Sequence, residues 1–395
     1  MKFIKEYVAV MMLVCFVFVC VFSYNAEYVQ AEELSLYARS ALLMDASNGR
    51  VLYEENGYQV MPMASTTKIM TCILALEYME GRPEGGKEKV KVTAYAARMP
   101  KVHLGMSEGE EYYLEDLLYS LMLKSHNDTA VAIAEHIDGD VQVFAERMNR
   151  KAAELGCRNT NFITPNGLDA EQDGKVHAST AYDMGLIASY AIKNDTFREI
   201  IATPQYSFSE LTQGRNFQIY NADLFLGMMD GAIGIKTGFT ADAGYCFVGA
   251  LEKDGKRFVS VVLASGWPPN KSWKWSDTKK LMKYGLENYE ISNITKRGTY
   301  TPIEVEEGIK DKVTIAADKE KEEELTLLLT KDDKVSVKNI LKDKMRAPVQ
   351  KGTVVGYKCY FVNDKLYKKY EIKTTESVEL RTYFYCLRQI FMIYF

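Results

Sequence analysis

The sequence is poor in the residues that bind metals or form disulfides. It contains only four histidines and seven cysteines in 395 residues, and no two histidines are three or four positions apart. Two of the cysteines lie close to the N-terminus, and the remaining five are scattered without any C-x-x-C spacing. This pattern excludes a disulfide framework and a zinc site, so we expect no metal and no other cofactor. Cys72 and Cys246 are interpreted as small core residues.

A concentrated block of positive charge is also absent. The formal net charge is -4, and lysines and arginines are interspersed with acidic residues along the whole chain. A nucleic-acid-binding protein needs a basic patch or stripe, so we expect no nucleic-acid partner. Because 47% of the residues are apolar, a chain of this length can bury a large core and should form two domains.

The first residues have the pattern of an export signal. Lys2 and Lys5 precede an apolar run over residues 8–22, and "YVQA" ends in small residues at Ala31. This arrangement predicts a signal peptide over residues 1–31 and a mature chain outside the cytoplasm. The alternative is a retained transmembrane anchor, but the run is shorter than the roughly 20 residues that a bilayer span needs.

Two segments have the pattern of β-hairpins. Residues 41–56, "ALLMDASNGRVLYEEN", place two apolar runs on either side of "ASNG". A second pair of β-branched runs flanks Asp254 and Gly255. Asn, Asp and Gly tolerate the positive φ that a tight turn requires, so both segments are predicted hairpins.

Helical periodicity occupies the sequence between these hairpins and returns after the second one. A helical block inserted between antiparallel strands predicts an α+β domain over residues 32–291, with one sheet assembled from both ends of it. The predicted helices cover residues 66–80, 114–123, 128–137, 141–155, 179–193 and 276–290.

The C-terminal part has a different character. Short alternating stretches separated by charged turns predict a small β-rich domain over residues 292–374, interpreted as a spacer or interaction module. Residues 375–395 are predicted to form an amphipathic helix, with Arg381 and Arg388 on one face and aromatic and aliphatic side chains on the other. We expect this helix to lie at a membrane surface, and the alternative is docking on the protein itself.

The most informative pattern is a serine followed three residues later by a lysine at the start of an apolar helix. Ser65 and Lys68 stand in "MPMASTTKIMT". Alone, this pattern is weak: Ser65 could simply cap the helix, and the same spacing recurs at Ser276 and Lys279.

Two further motifs follow Ser65 and have no counterpart after Ser276. Ser125 and Asn127 occur in "KSHND", between two predicted helices. Lys236, Thr237 and Gly238 occur in "GIKTGFT", which leads into the second hairpin. Three short motifs in this order arise by chance far more rarely than any one of them.

With these motifs the chain resembles the penicillin-binding, active-site-serine superfamily, and most closely its low-molecular-mass D-alanyl-D-alanine carboxypeptidases. The likeness also covers "TPNGLD", "HASTAYDMGLIA", the β-rich second domain and the terminal helix. It implies a β-lactamase/transpeptidase-like catalytic domain. It also implies that the seven motif positions form the active site.

The chemistry of acyl transfer explains why the family needs these residue types. A serine is a weak nucleophile, and a lysine one helical turn away can act as its base if burial and a second cation lower its pKa. Lys68 fits the base, and Lys236 fits the second cation. By resemblance, Ser65 is acylated, Ser125 passes the proton to the leaving amine, and Asn127 orients Lys68 and the substrate amide.

Further roles are implied for the third motif and for backbone donors. Lys236 and Thr237 are suited to hold the terminal carboxylate of the substrate, and Gly238 leaves room for a substrate paired against the strand. The developing oxyanion needs two donors. The resemblance assigns them to the backbone N–H groups of Ser65 and Phe239.

One departure from the family pattern concerns the substrate carboxylate. The family often carries an arginine after the last core strand, whereas "SGWPPNKSWKWSD" has none. Lys271 or Lys274 could replace it, or the threonine of the third motif could suffice. His126 is interpreted as a wall of the cleft, and Asn166 and Gly167 as a turn with a possible supporting role.

The resulting prediction is a carboxypeptidase that removes the terminal D-alanine from peptidoglycan stem pentapeptides through a serine acyl-enzyme. Its predicted partners are these peptides, β-lactams that acylate the same serine, and a membrane surface. One alternative is a class A-like β-lactamase, which would be expected to carry Ser-Asp-Asn and a deacylating glutamate. Another is a catalytically silent wall-binding protein.

Overall fold

The computed structural model describes residues 34–100, 102–317 and 324–394, so the predicted signal peptide lies outside the described residues. The helices are α1 (Lys68–Met79), α2 (Ala94–Ala97), α3 (Leu114–Tyr119), α4 (Asn127–Asp138), α5 (Val141–Glu154), α6 (Ala181–Ala191), α7 (Asp195–Ala202), α8 (Trp273–Asn288) and α9 (Tyr383–Tyr394). A 3-10 turn, Ala64–Thr67, directly precedes α1, and a π-helical turn, Ser120–Lys124, directly follows α3.

The strands fall into an N-terminal and a C-terminal group. The first group is β1 (Ser40–Asp45), β2 (Arg50–Glu55), β3 (Lys89–Lys91), β4 (Glu111–Tyr113), β5 (Glu171–Gln172), β6 (Lys175–Val176), β7 (Gln205–Ser209), β8 (Asn216–Tyr220), β9 (Ala232–Thr240), β10 (Gly244–Lys253) and β11 (Lys256–Leu263). The second is β12 (Glu290–Asn293), β13 (Ile303–Glu306), β14 (Lys312–Val313), β15 (Ile315–Ala317), β16 (Thr326–Leu329), β17 (Val335–Leu341), β18 (Lys344–Arg346), β19 (Val354–Val362) and β20 (Lys365–Thr374).

A five-stranded antiparallel sheet in the order β2-β1-β11-β10-β9 organises the first part of the chain. Both predicted hairpins are present in it, and the turn between β10 and β11 has φ of 53° at Asp254 and 75° at Gly255. Strand β1 pairs with β11 from Ser40 opposite Leu263 onward. The predicted α+β fold, with a sheet built from both ends of the domain, is confirmed.

Helices cover both faces of this sheet. All six residues of β1 are buried, which is the pattern of a strand without a solvent-facing side. Helix α6 packs on the face that carries Leu42 and Met44, and its Gly185 lies directly over these two side chains. Helix α8 meets the opposite face, where Gly285 lies over Leu43. The sheet is therefore the middle layer of three.

The helix boundaries differ from the prediction where the chain forms the site. The predicted helix 66–80 starts instead with the 3-10 turn, and the predicted helix 114–123 ends in the π-helical turn. Periodicity alone cannot distinguish these tighter and wider turns from an α-helix. Helices α2 and α7 were not predicted, because four and eight residues give too few turns for a clear pattern.

The C-terminal part is β-rich, as predicted. Its sheets have the orders β14-β13-β18 and β15-β20-β19-β17, and β12 pairs with β16. Two apolar clusters fill it. The members of the first are Ile303, Val305, Val313, Ile315, Ala317, Ala347, Val349, Val355, Ile372 and Val378, and those of the second are Ile294, Leu325, Leu327, Leu329, Tyr360, Val362 and Tyr370.

The terminal helix begins later than predicted. Val378 and Leu380 form β-bridges with Val349 and Gly308, which keeps this segment extended. Arg381 precedes α9 and forms an ion pair with Asp311 at 2.7 Å, so the prediction that Arg381 and Arg388 share a helical face is wrong. Among the described residues, no helix combines the length and the apolar character needed to cross a bilayer.

Side chains at the ends of β2 and α8 connect the two parts. The Arg50 guanidinium lies 2.8 Å from the Asp333 carboxylate and also donates to the Leu328 carbonyl. The Tyr289 hydroxyl donates to the Leu52 carbonyl at 2.6 Å. The Arg50 contacts join the first sheet to residues that follow β12, and the Tyr289 contact ties the end of α8, directly before β12, to the same sheet. The second part is therefore held by polar contacts as well as by the chain itself.

Replacing Asp277 with alanine should destabilise the N-terminal part by about 3 kcal/mol. Its buried carboxylate accepts hydrogen bonds from the backbone N–H groups of Tyr37 and Ala38 and from the Ser265 hydroxyl, at 2.7 to 3.1 Å. Removing it leaves buried donors without an acceptor. Urea unfolding of both proteins measures the loss, and Ser276→Ala, next to it on α8, is the control that should stay within about 0.5 kcal/mol of wild type.

Candidate active site

Ser65 and Lys68 meet at the start of α1. Ser65 belongs to the 3-10 turn and Lys68 is the first residue of the helix, so their side chains lie one turn apart. The Lys68 Nζ atom is 2.9 Å from the Ser65 Oγ atom. The N-cap of α1 is Thr67 and makes no side-chain cap bond, so Ser65 contacts the lysine and does not cap this helix.

The Lys68 ammonium is completely buried. Besides Ser65, it donates to the Asn127 Oδ1 atom at 2.9 Å and to the Asn166 backbone carbonyl at 2.6 Å. Burial, followed by the charge of Lys236, holds the pKa of Lys68 well below its usual value, and only Asp128 acts in the opposite direction. A lysine in this environment can be neutral at physiological pH and can therefore accept a proton.

The second motif is held by the turn that ends the π-helical segment. Ser125 adopts a left-handed conformation with φ of 66° and lines the cleft. Residues other than glycine rarely adopt this conformation, and where they do the site is often functional. Asn127 starts α4, and its Nδ2 atom donates to the Pro100 carbonyl at 3.2 Å, which turns its oxygen toward Lys68.

His126 does not line the cleft. It is buried, and its Nδ1 atom lies 2.8 Å from the Ser120 hydroxyl, which belongs to the π-helical turn. Burial lowers its pKa to about 4, so this ring is neutral and serves to pack the turn. The interpretation of His126 as a wall of the cleft is wrong.

The third motif lies on β9, at the edge of the central sheet. The Lys236 side chain is buried, its Nζ atom donates to the Thr237 carbonyl at 3.1 Å, and burial lowers its pKa to about 8. The half-buried carboxylate of Asp223 partly opposes that shift. Lys236, Thr237, Gly238 and Phe239 line the same cleft as Ser65.

The strand register directs the backbone of Phe239 away from the sheet. Tyr245, opposite Phe239, uses its own N–H and C=O groups for Gly266 and Ser265 on its other side. In an antiparallel sheet, the N–H and C=O groups of one residue both point toward the same neighbouring strand. Those of Tyr245 point toward the residues that follow β11, so Tyr245 and Phe239 form a pair without hydrogen bonds, and the N–H and C=O groups of Phe239 face the free edge of β9.

Gly238 also contributes to the packing of the site. A Cβ atom at this position would lie 3.0 Å from the Ala64 Cβ atom and 3.0 Å from the Ser65 nitrogen. The glycine therefore lets β9 approach the turn that carries Ser65. This contact brings the first and third motifs together.

The segment from Pro165 to Gly167 contributes backbone groups to the site. The Asn166 carbonyl accepts from Lys68, and the Pro165 carbonyl accepts from the Thr71 hydroxyl at 2.6 Å. Gly167 has φ of 82°, and a Cβ atom there would lie 2.1 Å from the Ala64 carbonyl. The glycine in "TPNG" predicts a turn, but no side-chain pattern could have identified a backbone carbonyl as the partner of Lys68.

The motifs surround a cleft of about 450 Å³. Both lysines proposed to replace the missing arginine line it, but they differ in burial. Lys274 is 3% exposed, its Nζ atom lies over the rings of Tyr245 and Trp275 at 4.8 and 4.7 Å, and burial lowers its pKa to about 8. Lys271 is exposed, and its carbonyl accepts from Lys274 at 2.9 Å.

Comparisons with known proteins identify the family of this chain. The family model described as D-alanyl-D-alanine carboxypeptidase, peptidase S11, matches residues 27–266, and the model of the penicillin-binding protein 5 C-terminal domain matches residues 289–380. The chain belongs to the D-alanyl-D-alanine carboxypeptidase family. It is a serine-type carboxypeptidase of the penicillin-binding class, as the sequence predicted.

Individual relatives are similar to this chain over most of its length and support its assignment to the family. The D-alanyl-D-alanine carboxypeptidase DacF of Bacillus subtilis is 31% identical over 331 residues, which are 83% of this chain and 82% of the relative. The structure of penicillin-binding protein 5 of Haemophilus influenzae matches with a TM-score of 0.72 and 25% sequence identity. The match covers 88% of this chain and 99% of that chain. The structure of penicillin-binding protein D2 of Listeria monocytogenes, solved in an ampicillin-bound form, matches with a TM-score of 0.56 and 32% sequence identity. The match covers 65% of this chain and 100% of that chain.

Replacing Lys236 with glutamine should raise the pKa of Lys68, because it removes the positive charge that disfavours protonation of the buried amine. Lys236→Arg keeps the charge and should leave the pKa close to that of wild type. An NMR titration of isotope-labelled lysine side chains measures the effect directly. An unchanged or lower pKa in the glutamine variant would contradict the electrostatic coupling.

Proposed function

We propose that Ser65 attacks the carbonyl between the two terminal D-alanines of a peptidoglycan stem pentapeptide. The observation that carries this proposal is the 2.9 Å contact between Ser65 and a buried lysine whose pKa is lowered. A neutral amine at this distance can accept the hydroxyl proton as the C–O bond forms. Collapse of the tetrahedral intermediate expels D-alanine, and water hydrolyses the acyl-enzyme to release the tetrapeptide.

The other motif residues act on the charges and protons of this reaction. Ser125 relays the proton from Lys68 to the leaving amine, and Asn127 holds Lys68 and the substrate amide. The backbone N–H groups of Ser65 and Phe239 form the oxyanion hole. Support comes from the edge-facing Phe239 backbone and from the position of Ser65 in the first turn of a helical segment, where backbone N–H groups generally have no partner within the helix. Removal of one such donor typically costs about 3 kcal/mol of transition-state stabilisation.

Lys274, together with Lys236 and Thr237, binds the terminal carboxylate of the substrate. Lys274 is favoured over Lys271 because its side chain is buried at the cleft, and the Asp223 carboxylate acts on its charge without forming an ion-pair contact among the described residues, so an incoming carboxylate can bind it directly. A lysine is a point charge where the family often has an arginine fork, so this recognition is less directional.

The protein acts outside the cytoplasm on peptidoglycan, and β-lactams acylate the same serine. The signal peptide over residues 1–31 exports the chain, residues 32–291 form the catalytic domain, and residues 292–374 form the second domain. The remaining residues, 375–395, attach the protein to the outer face of the membrane. Support for attachment is the exposure of large apolar side chains on α9, among them Phe384 at 81% and Phe391 at 64%.

Ser65→Ala should abolish covalent labelling by a fluorescent penicillin and should lower D-alanine release from a pentapeptide by at least about 10³-fold. The substitution removes the nucleophile and leaves the cleft otherwise intact. The matched control is Ser276→Ala, which removes the serine of the other Ser-x-x-Lys pattern and should retain both activities. Labelling that persists in Ser65→Ala, or wild-type protein that takes no label, would contradict the assignment.

The double variant Phe384→Ser and Phe391→Ser should bind vesicles that contain anionic phospholipid at least about tenfold more weakly than wild type. The reason is that α9 then offers less apolar surface to the bilayer interface. Co-sedimentation of the full chain with the vesicles measures this. Ile340→Ser, a change at an exposed position on β17, is the control and should bind like wild type. Equal sedimentation of the helix variant and wild type would exclude membrane attachment through α9.

A further inference from the structure

His177 lies between the two segments that carry the reacting groups. It is 3% exposed and is not among the residues that line the cleft. On one side its Nδ1 atom accepts from the backbone N–H groups of Ile163 and Thr164, at 2.9 and 3.3 Å. On the other side its Nε2 atom lies 2.8 Å from the Thr67 hydroxyl.

These contacts determine the tautomer of the ring. Since Nδ1 accepts two backbone hydrogen bonds, the proton must be on Nε2, which donates to the Thr67 oxygen. The Thr67 hydroxyl then donates onward to the Ala64 carbonyl at 2.8 Å. Burial, followed by the charge of Lys68, lowers the pKa of His177 to about 4, which agrees with a neutral ring.

His177 is hydrogen-bonded to two segments of the chain. One of them carries a group that contacts the proposed base, Lys68, and the other contains the proposed nucleophile, Ser65. The first runs from Ile163 to Asn166, whose carbonyl accepts from Lys68 at 2.6 Å. The second is the 3-10 turn, in which Ala64 directly precedes Ser65. Ala64 itself has φ of 48°, a conformation that needs support from its surroundings.

We propose that neutral His177 is a positioning residue that fixes the Asn166 carbonyl relative to the turn carrying Ser65, and thereby sets the Ser65–Lys68 geometry for acylation. The inference rests on the proposed function. His177 itself touches neither Ser65 nor Lys68 through a hydrogen bond, so it acts through the two segments. A displacement of either segment lengthens the path of the proton from the serine to the lysine, and misplacements of about 1 Å can cost up to about 10²-fold in rate.

Two substitutions break the bridge at opposite ends. His177→Asn places an acceptor where Nδ1 was but cannot reach Thr67, and His177→Gln places a donor where Nε2 was but cannot accept from Ile163 and Thr164. Each should lower the rate constant of acylation by a fluorescent penicillin by about 10- to 100-fold. The dissociation constant of the preceding non-covalent complex should stay within about twofold, because His177 does not line the cleft.

A double-mutant cycle with Thr67→Val distinguishes positioning from general loss of stability. Thr67→Val removes the hydroxyl that connects His177 to Ala64. It should slow acylation strongly in the wild-type background and by a clearly smaller factor in His177→Asn, where the bond between His177 and Thr67 is already lost and only the bond from Thr67 to Ala64 remains to be removed. Each rate is divided by the concentration of active sites, which is measured by titration with the penicillin, so that inactive molecules do not affect the comparison. Full additivity of the two changes, or a loss that appears only in the dissociation constant, would overturn the proposal.

The tautomer is tested on the unaltered protein, so the proposal stays falsifiable if the variants do not fold. Nitrogen-15 NMR of the histidine rings should show His177 with a bare Nδ1 and a protonated Nε2 down to about pH 5, below the ordinary histidine pKa of about 6.5. A proton on Nδ1, or charging of the ring near 6.5, would overturn it. Absence of penicillin labelling in wild type would instead count against the proposed function and leave this test unaffected.

Discussion

A lysine amine that is completely buried without a carboxylate partner is the constraint on which the rest of the structure depends. Transferring an ammonium group from water to such a place is costly, and the protein lowers that cost by favouring the neutral amine. Lys68 has only neutral acceptors around it: a hydroxyl, an amide and a backbone carbonyl. A carboxylate among them would stabilise the charged form and would remove the base.

Close backbone packing is what allows three distant stretches of chain to surround this amine. The turn with Ser65, the strand β9 and the segment before Gly167 approach one another so tightly that side chains at Gly238 and Gly167 would collide with the turn. Position-specific glycines are therefore as necessary to the site as the polar groups. Helices α8 and α6 cover the two faces of the sheet, and β9 is held through its pairing with β10.

Much of this arrangement could be predicted because the signals are local. The hairpin with Asp254 and Gly255 is encoded by two residues that tolerate positive φ, and the buried helix after Ser65 by its apolar period. The fold class followed from the order of these elements. The relation between Ser65 and Lys68 was also predictable, since a helix places residues three apart on one face.

The parts that could not be predicted depend on non-local contacts. The Asn166 carbonyl bears no sequence signature, because every residue has a carbonyl and only the fold selects one. The start of α9 was misplaced because the bridge between Val378 and Val349 overrides helical periodicity. His126 was misassigned because its position next to Ser125 in sequence says nothing about which way its ring turns. A histidine such as His177, more than 100 residues from Thr67, joins it only in the folded chain.

The free edge of β9 has a consequence for which peptides the protein can accept. An unpaired strand edge offers a row of alternating N–H and C=O groups with which another extended chain can pair. A ligand laid along this edge is recognised through its main chain, which is the same for every amino acid except proline. Such pairing selects for backbone shape and is largely indifferent to side-chain identity, and it leaves discrimination between peptides to the few groups at the ends of the cleft.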